Sequence, residues 1–286
     1  MTKIIASAKS LLEGLRMFAL PYGSDYLFTP LVLEARGSNV VCTVRTKAGG
    51  AFSRGVVEDW KIERETPAGS PIVIDAEELI DTVANFPPEA VLTFEVIEDG
   101  SVTLTSALKK GRIIPKQMQP SIPKEGSLPT FLEDGRIAYN SGRVKGENGE
   151  TTIDPKKRDA SAAKTRVEVE ADALSEFIAD ADSLKMKDQP KFPLEFLPPE
   201  SEGAPGFVRA EIGSLQTKQR SWDTKVPAFV KGAKATIVVG KDFRNVISNF
   251  KGKIEMQLTD GAPIVVVFKG DKRRSFVVLA PLRENA

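Results

Sequence analysis

The sequence predicts an α+β protein of two similar domains, each built from a strand–helix–strands unit used twice. Three observations lead there. Apolar runs alternate with polar residues and are broken by Gly, Asp and Pro turns, which is the period of half-buried strands. A few short stretches carry apolar residues at helical spacing, each preceded by a strand-like run. The order of these segments then repeats, within each half and between halves.

In chain order, Lys3 to Ile5 is a short apolar run. Leu11, Leu12, Leu15 and Phe18 follow at helical spacing, with Lys9, Glu13 and Arg16 between them, and Pro21-Tyr22-Gly23 is expected to stop that helix. Leu31 to Leu33, Val40 to Val44 and Phe52 to Val57 read as strands, with turns at Arg36 to Asn39 and at Gly49-Gly50. The cycle restarts with a strand at Pro71 to Ile74. Asp75 is placed to cap a helix, with Glu78 three residues on, and Leu79, Val83 and Phe86 form its apolar stripe. Pro87-Pro88 ends it, and strands follow at Val91 to Ile97, at Val102 to Thr105 and up to Ile113-Ile114.

Residues 1–114 therefore read as one domain. Residues 115–164 are rich in Pro and Gly, poor in apolar runs and basic toward their end (Lys156, Lys157, Arg158, Lys164), and read as a long interdomain connector with some order around Leu128 to Ile137. Residues 165–286 read as the second domain. It has a strand at Arg166 to Val169, a helical stripe of Leu174, Phe177, Ile178, Ala181 and Leu184, and strands around Phe192 to Leu197 and Phe207 to Ile212. A strand at Ala235 to Val239 comes next, then a stripe of Phe243, Val246, Ile247 and Phe250, and last the strands Ile254 to Leu258, Ile264 to Phe268 and Ser275 to Leu279. The halves superpose at constant offset. Ile72 to Ile74, Leu79, Val83 and Asn85-Phe86 match Thr236 to Val238, Phe243, Ile247 and Asn249-Phe250 at that offset, and the early helices match too, Leu11 and Leu15 against Leu174 and Ile178, with the offset one residue shorter.

Composition narrows the function. The 286 residues carry a net charge of +1, so any affinity for nucleic acid must come from uneven distribution of charge. With one cysteine, Cys42, no disulfide framework forms within the chain, and a reducing compartment is expected. No run approaches the ~18 apolar residues of a membrane helix. There is no histidine, which excludes His-dependent nucleophiles, His-ligated metals and His bases. Asp180 and Asp182 point differently on a helix, and Gly240-Lys241 lacks the rest of a phosphate loop. Cys42, alternating with valines, and the isolated Trp60 and Trp222 read as packing residues. No catalytic residue, metal or cofactor is expected.

The C-terminal stretch Lys253-Ile-Glu-Met-Gln-Leu258, Gly261-Ala-Pro-Ile-Val-Val-Val-Phe268 and Ser275-Phe-Val-Val-Leu-Ala-Pro-Leu-Arg-Glu284 resembles the end of DNA sliding clamps of the proliferating-cell-nuclear-antigen type. The doubled unit, two domains and a connector match that family's architecture over most of the chain, although this connector is longer than the family usually has. The resemblance implies antiparallel sheets outside and helices lining an inner face. It implies a non-enzymatic homotrimeric ring that encircles double-stranded DNA without sequence preference and tethers a DNA polymerase and other partners, opened spontaneously or by a clamp-loader ATPase. It also implies a partner-peptide site at Pro263, Val278, Leu279, Ala280 and Pro281, with Ile113, Ile114, Met118 and Ile122 supplied by the connector. Val278 stands where the family often has an aromatic residue.

Sliding requires phosphate contacts rather than base readout. On helices facing DNA, and beside them, the candidates are Lys9, Arg16, Lys109, Lys110, Arg112, Lys185, Lys187, Lys241, Arg244, Lys251 and Lys253. The second helix (Glu77, Glu78, Asp81) and third helix (Asp172, Glu176, Asp180, Asp182) fit that role poorly. The alternatives are a monomeric, non-ring processivity factor of the same fold and a β-rich viral structural protein. The expected location is cytoplasmic, at the nucleoid or replication site, or the nucleus or infected host cell for a viral chain, with no membrane association.

Overall fold

The computed structural model describes residues 2–18, 30–45, 51–97, 100–114, 130–140, 142–145, 150–184, 191–201, 203–212, 222–259 and 261–279. The elements are β1 (Lys3–Ser7), α1 (Ala8–Arg16), β2 (Pro30–Arg36), β3 (Asn39–Arg45), β4 (Ala51–Val57), β5 (Lys61–Arg64), β6 (Ile72–Asp75), α2 (Ala76–Ala84), β7 (Val91–Val96), β8 (Val102–Thr105) and β9 (Lys110–Ile113). After these come β10 (Thr130–Phe131), β11 (Ile137–Ala138), β12 (Arg143–Lys145), β13 (Thr151–Ile153) and α3 (Pro155–Ala160). The remainder is β14 (Thr165–Glu170), α4 (Ala171–Leu184), β15 (Lys191–Leu197), β16 (Gly206–Ile212), β17 (Trp222–Gly232), β18 (Ala235–Gly240), α5 (Lys241–Ile247), β19 (Lys253–Leu258), β20 (Ile264–Lys269) and β21 (Arg273–Leu279). The chain forms two compact units: residues 1–122 with 268–277, and residues 123–267 with 278–286.

In the first unit, each repeat gives its leading strand to the other repeat. β1 pairs antiparallel with β7, so that one sheet runs β5-β1-β7-β8-β9. β6 pairs antiparallel with β2, and the second sheet runs through β4, β3, β2 and β6. Each exchanged strand runs directly into its helix: α1 starts immediately after β1, and α2 immediately after β6. Ser7 and Asp75 start the two helices. The Ser7 hydroxyl accepts from Ser10 N–H at 3.1 Å, and Asp75 Oδ1 accepts from the N–H groups of Glu77 and Glu78 at 3.0 and 3.4 Å. α1 ends at Arg16, before the Pro21-Tyr22-Gly23 stop expected from sequence, which lies outside the described residues. Phe18 is still buried just past its end.

The second unit repeats the same exchange: β14 pairs with β19 and β18 with β15, both antiparallel. The offset read from sequence corresponds to equivalent core positions. Leu79, Val83 and Phe86, like Phe243, Ile247 and Phe250, are buried, as are Leu11, Leu15, Leu174 and Ile178. Phe86 N–H donates to Val83 O at 3.0 Å and Phe250 N–H to Ile247 O at 3.1 Å, so the same turn follows both helices. Cys42 is fully buried among the valines of β3, and burial pushes its thiol far above the usual range. Trp60 packs against Gly14 of α1, where an added Cβ would stand 2.6 Å from the indole, and donates Nε1–H to Ser10 O.

Several elements were absent from the sequence-based reading. β17 was missed because Pro227 sits in its middle. Proline survives there because β17 is paired by β16 across Trp222–Ala228 but by β14 only from Phe229 onward, leaving one edge without a strand among the described residues. β5 was missed because Lys61, Glu63 and Arg64 look like loop. The expected connector contains two short hairpins, β10–β11 and β12–β13, and the six-residue helix α3 capped by Asp154.

Candidate DNA and partner interfaces

Within the first unit α1 and α2 pack on each other, and within the second α4 and α5 do the same. On α1, Lys9, Glu13 and Arg16 are exposed. Glu13 is held by Arg273, whose guanidinium also takes Asp59 and the Ser10 hydroxyl (Nη1 to Glu13 at 3.0 Å, Nε to Asp59 at 3.0 Å, Nη2 to Ser10 Oγ at 3.1 Å). Burial pushes the Asp59 carboxyl up, but hydrogen bonds from Arg273 and Ser10 outweigh it and hold the group below the usual carboxylate range. Lys9 and Arg16, seven residues apart on one face, are thus the charges of α1 that have no ion pair among the described residues. α2 exposes Glu77 and Asp81.

Lys109 reaches the end of α2, where its ammonium donates to Asn85 O at 3.0 Å and sits 5.4 Å from the centre of the Phe86 ring. Lys110 and Arg112 do not join it. On β9, Gly111 faces α2, where a Cβ would meet Thr82 at 3.1 Å, and Ile113 is buried. Alternation sends Lys110 and Arg112 to the opposite side, where Arg112 Nε donates to Ser101 Oγ at 3.1 Å.

α4 presents Asp172, Glu176 and Asp180 as an exposed stripe at four-residue spacing. Lys251 is drawn to it, its ammonium 2.7 Å from Asp172 Oδ1. Lys253 lies directly across from Glu170 in the β14–β19 ladder. Arg244 is exposed on α5. Lys185 and Lys187 lie outside the described residues, as does the Lys241 side chain. Among the described residues the helix surfaces therefore carry few cations without an acidic partner. Among the described residues no group of His, Cys, Asp and Glu is arranged to hold a metal, and no helix is long and apolar enough to cross a membrane.

Of the expected partner site, Pro263 and Val278 are half-buried and Leu279 is buried. Ile113 is buried and Ile114 is 69% exposed. Met118, Ile122, Ala280 and Pro281 lie outside the described residues.

A polar lock in the second unit was not anticipated. Glu255 and Gln257 alternate with Ile254, Met256 and Leu258 on β19, and both are buried. The segment around β11 covers them. Gln257 Oε1 accepts from Ile137 N–H at 2.6 Å, and Nε2 donates to Gly135 O at 2.7 Å and Glu255 Oε1 at 2.6 Å. Tyr139 Oη donates to Gln257 O at 3.0 Å, and burial pushes this phenol upward. Arg166 joins Glu255 (2.5 Å) to the Asp134 carbonyl (3.3 Å). Ile137, Ala138, Ala162 and Ala163 are buried by the same contact. A run of polar residues alternating with apolar ones gives no sign of whether water or another segment covers it.

Strand exchange between duplicated units, present twice, together with two paired helices in each unit, is the architecture of the DNA clamp fold. Comparison with solved structures agrees over the whole chain. A proliferating-cell-nuclear-antigen (PCNA) protein of A. fulgidus, solved with the C-terminal region of FEN-1 bound, matches at 11% identity and a TM-score of 0.63 over 99% of both chains. The PCNA2–PCNA3 complex of Sulfolobus tokodaii matches at 11% identity and a TM-score of 0.62 over 98% of this chain and 99% of that one. No protein-family model matches the chain, and no curated protein matches it in sequence. The chain has the fold of the PCNA-type sliding clamps.

Proposed function

We propose that this protein is a DNA sliding clamp: a non-catalytic subunit that closes with copies of itself into a ring around duplex DNA and tethers a replicative polymerase. The observation that carries the reading is the strand-exchanged double repeat in both units, matched end to end by two clamp structures. Ring closure has edges available. β9 ends its sheet, and the Trp222–Ala228 stretch of β17 has one side without a strand among the described residues. Antiparallel pairing of the one with the other in the next subunit would satisfy both rows of backbone groups. Lys9, Arg16 and Arg244 supply sequence-independent phosphate contacts from the helices, and Pro263, Val278 and Leu279 with the neighbouring Ala280 and Pro281 receive partner peptides. A clamp-loader ATPase is the expected opener.

Light scattering at micromolar concentration tests the ring. The expected mass is near three times 31.1 kDa, with stimulation of polymerase processivity on circular primed DNA. A monomer that gives no stimulation, even with a loader, refutes the reading.

A further inference from the structure

We propose that Lys109 of one copy of this chain pairs with Glu176 of the next across the β9–β17 joint, beside a contact of Leu108 with Val226 and Pro227. The inference rests on the ring reading above and names the residues that join its copies.

The chain holds a template for this contact within its first unit. β21 lies beside β4, and Arg273 to Val277 belong to that unit. Glu58 N–H donates to Lys272 O at 2.9 Å, and Arg274 Nη2 stands 2.6 Å from Glu58 Oε1. Arg273 reaches Asp59 and, on α1, Glu13 through the bonds described above. β9 is the counterpart of β21. The turn before it closes with Ser106 N–H donating to Lys109 O at 2.8 Å, as Gly270 N–H donates to Arg273 O at 2.9 Å. Lys109 and Lys110 thus stand where Arg273 and Arg274 do, and Leu108 stands where Lys272 does.

The opposite side of the joint follows from the same equivalence. α4 is the counterpart of α1, and the step from Leu11 and Leu15 to Leu174 and Ile178 carries Glu13 onto Glu176. Glu176 is exposed and forms no ion pair among the described residues, whereas Asp172 takes Lys251. Lys109 has no carboxylate partner among them either: its ammonium gives one of its three donors to Asn85 O. An acidic helix face that suits phosphate poorly suits a lysine from a second copy. The strand edge differs from the template in a matching way. The Ile5–Lys61 pair on β5 corresponds to Glu168–Phe229 on β17. Counting back from there, Glu58 and Asp59 fall within Val226-Pro227-Ala228, which carries no acid. Across from them, Leu108 takes the place of Lys272 and is 97% exposed. The charged strand pairing inside the chain thus becomes an apolar one on two open edges, while the helix carboxylate is kept. An apolar residue this exposed, set against an edge that has lost its acids, fits a second copy of the chain.

The test is the mass of the full-length chain by sedimentation across a dilution series, without DNA, at about 0.1 M and about 1 M salt. Lys109→Glu and Glu176→Lys are each expected to raise the dissociation constant of the joint roughly 3- to 30-fold at the lower salt. The double variant K109E/E176K is expected to restore it, because the pair re-forms with its signs exchanged. The differences are expected to shrink at the higher salt. Leu108→Ser is expected to weaken the joint alike at both salts. Unchanged melting temperatures exclude misfolding as the cause. Single variants as tight as the parent, or a double variant no tighter than the weaker single, overturn the pairing, while a parent trimer keeps the ring reading. A parent chain monomeric at every concentration overturns the pairing too, and if it also gives no polymerase stimulation with a loader, the ring reading falls with it.

Discussion

Replacing Gln257 with Leu removes the amide on which the inserted segment hangs while keeping side-chain bulk. Three partners lose their bond: the Ile137 N–H, the Gly135 carbonyl and Glu255 Oε1. A buried polar group left unpaired costs about 1–3 kcal/mol, and the two backbone groups recover water once the segment lifts. The weakening is therefore expected to appear as undocking of residues around 135–139, by about 2–4 kcal/mol, rather than as loss of the whole unit. At 1.4 kcal/mol per tenfold, that is a rise of roughly 30- to 700-fold in amide exchange at Ile137 and at Ala163, which donates to Ile137 O. Amides of the β14–β19 ladder, such as Val167, are expected to keep their protection. Hydrogen exchange with mass spectrometry or NMR reads both. Unchanged exchange at Ile137, or an equal rise at Val167, would refute the lock as the element that docks the segment.

Gly55→Val is expected to lower the melting temperature of the first unit by several degrees, because a Cβ at Gly55 would stand 2.2 Å from the Arg274 carbonyl and 2.8 Å from Ser275 Cα, and neither backbone atom can rotate away. Calorimetry checks it, with Gly37→Ala as the contrast for a glycine with open space around it but a φ of 57°. The Asp59–Arg273 cluster predicts an acid limb. The Asp59 carboxyl is held below its unfolded value, so its contribution is complete above about pH 4 and is lost as pH falls through the depressed folded value. Asp59→Asn is expected to flatten that limb in a melting-temperature series from pH 6 to pH 2, and an identical slope in both proteins would rule the cluster out as its source.

Much of this was legible in the chain because burial with a period imprints itself on sequence. The stripes Leu79-Val83-Phe86 and Phe243-Ile247-Phe250 face a core from a helix, so their spacing had to be helical, and their recurrence at constant offset marks the duplication. The cap at Asp75 is local chemistry and acts within three residues of its position, as the Ser7 cap that the structure adds also does. Absence also carried weight: a chain without histidine has no imidazole for catalysis or metal binding. What lay outside the sequence depends on contacts between distant residues. Pro227 looks like a strand breaker until one edge of β17 proves to have no strand beside it among the described residues. Lys110 and Arg112 look like companions of Lys109 until Gly111 shows which side of β9 faces the helix. Glu255 and Gln257 look solvated until residues more than a hundred positions away cover them. Periodicity records which side of an element is apolar, whereas the groups that meet the polar side, and the edges left open, are decided by pairing across the fold.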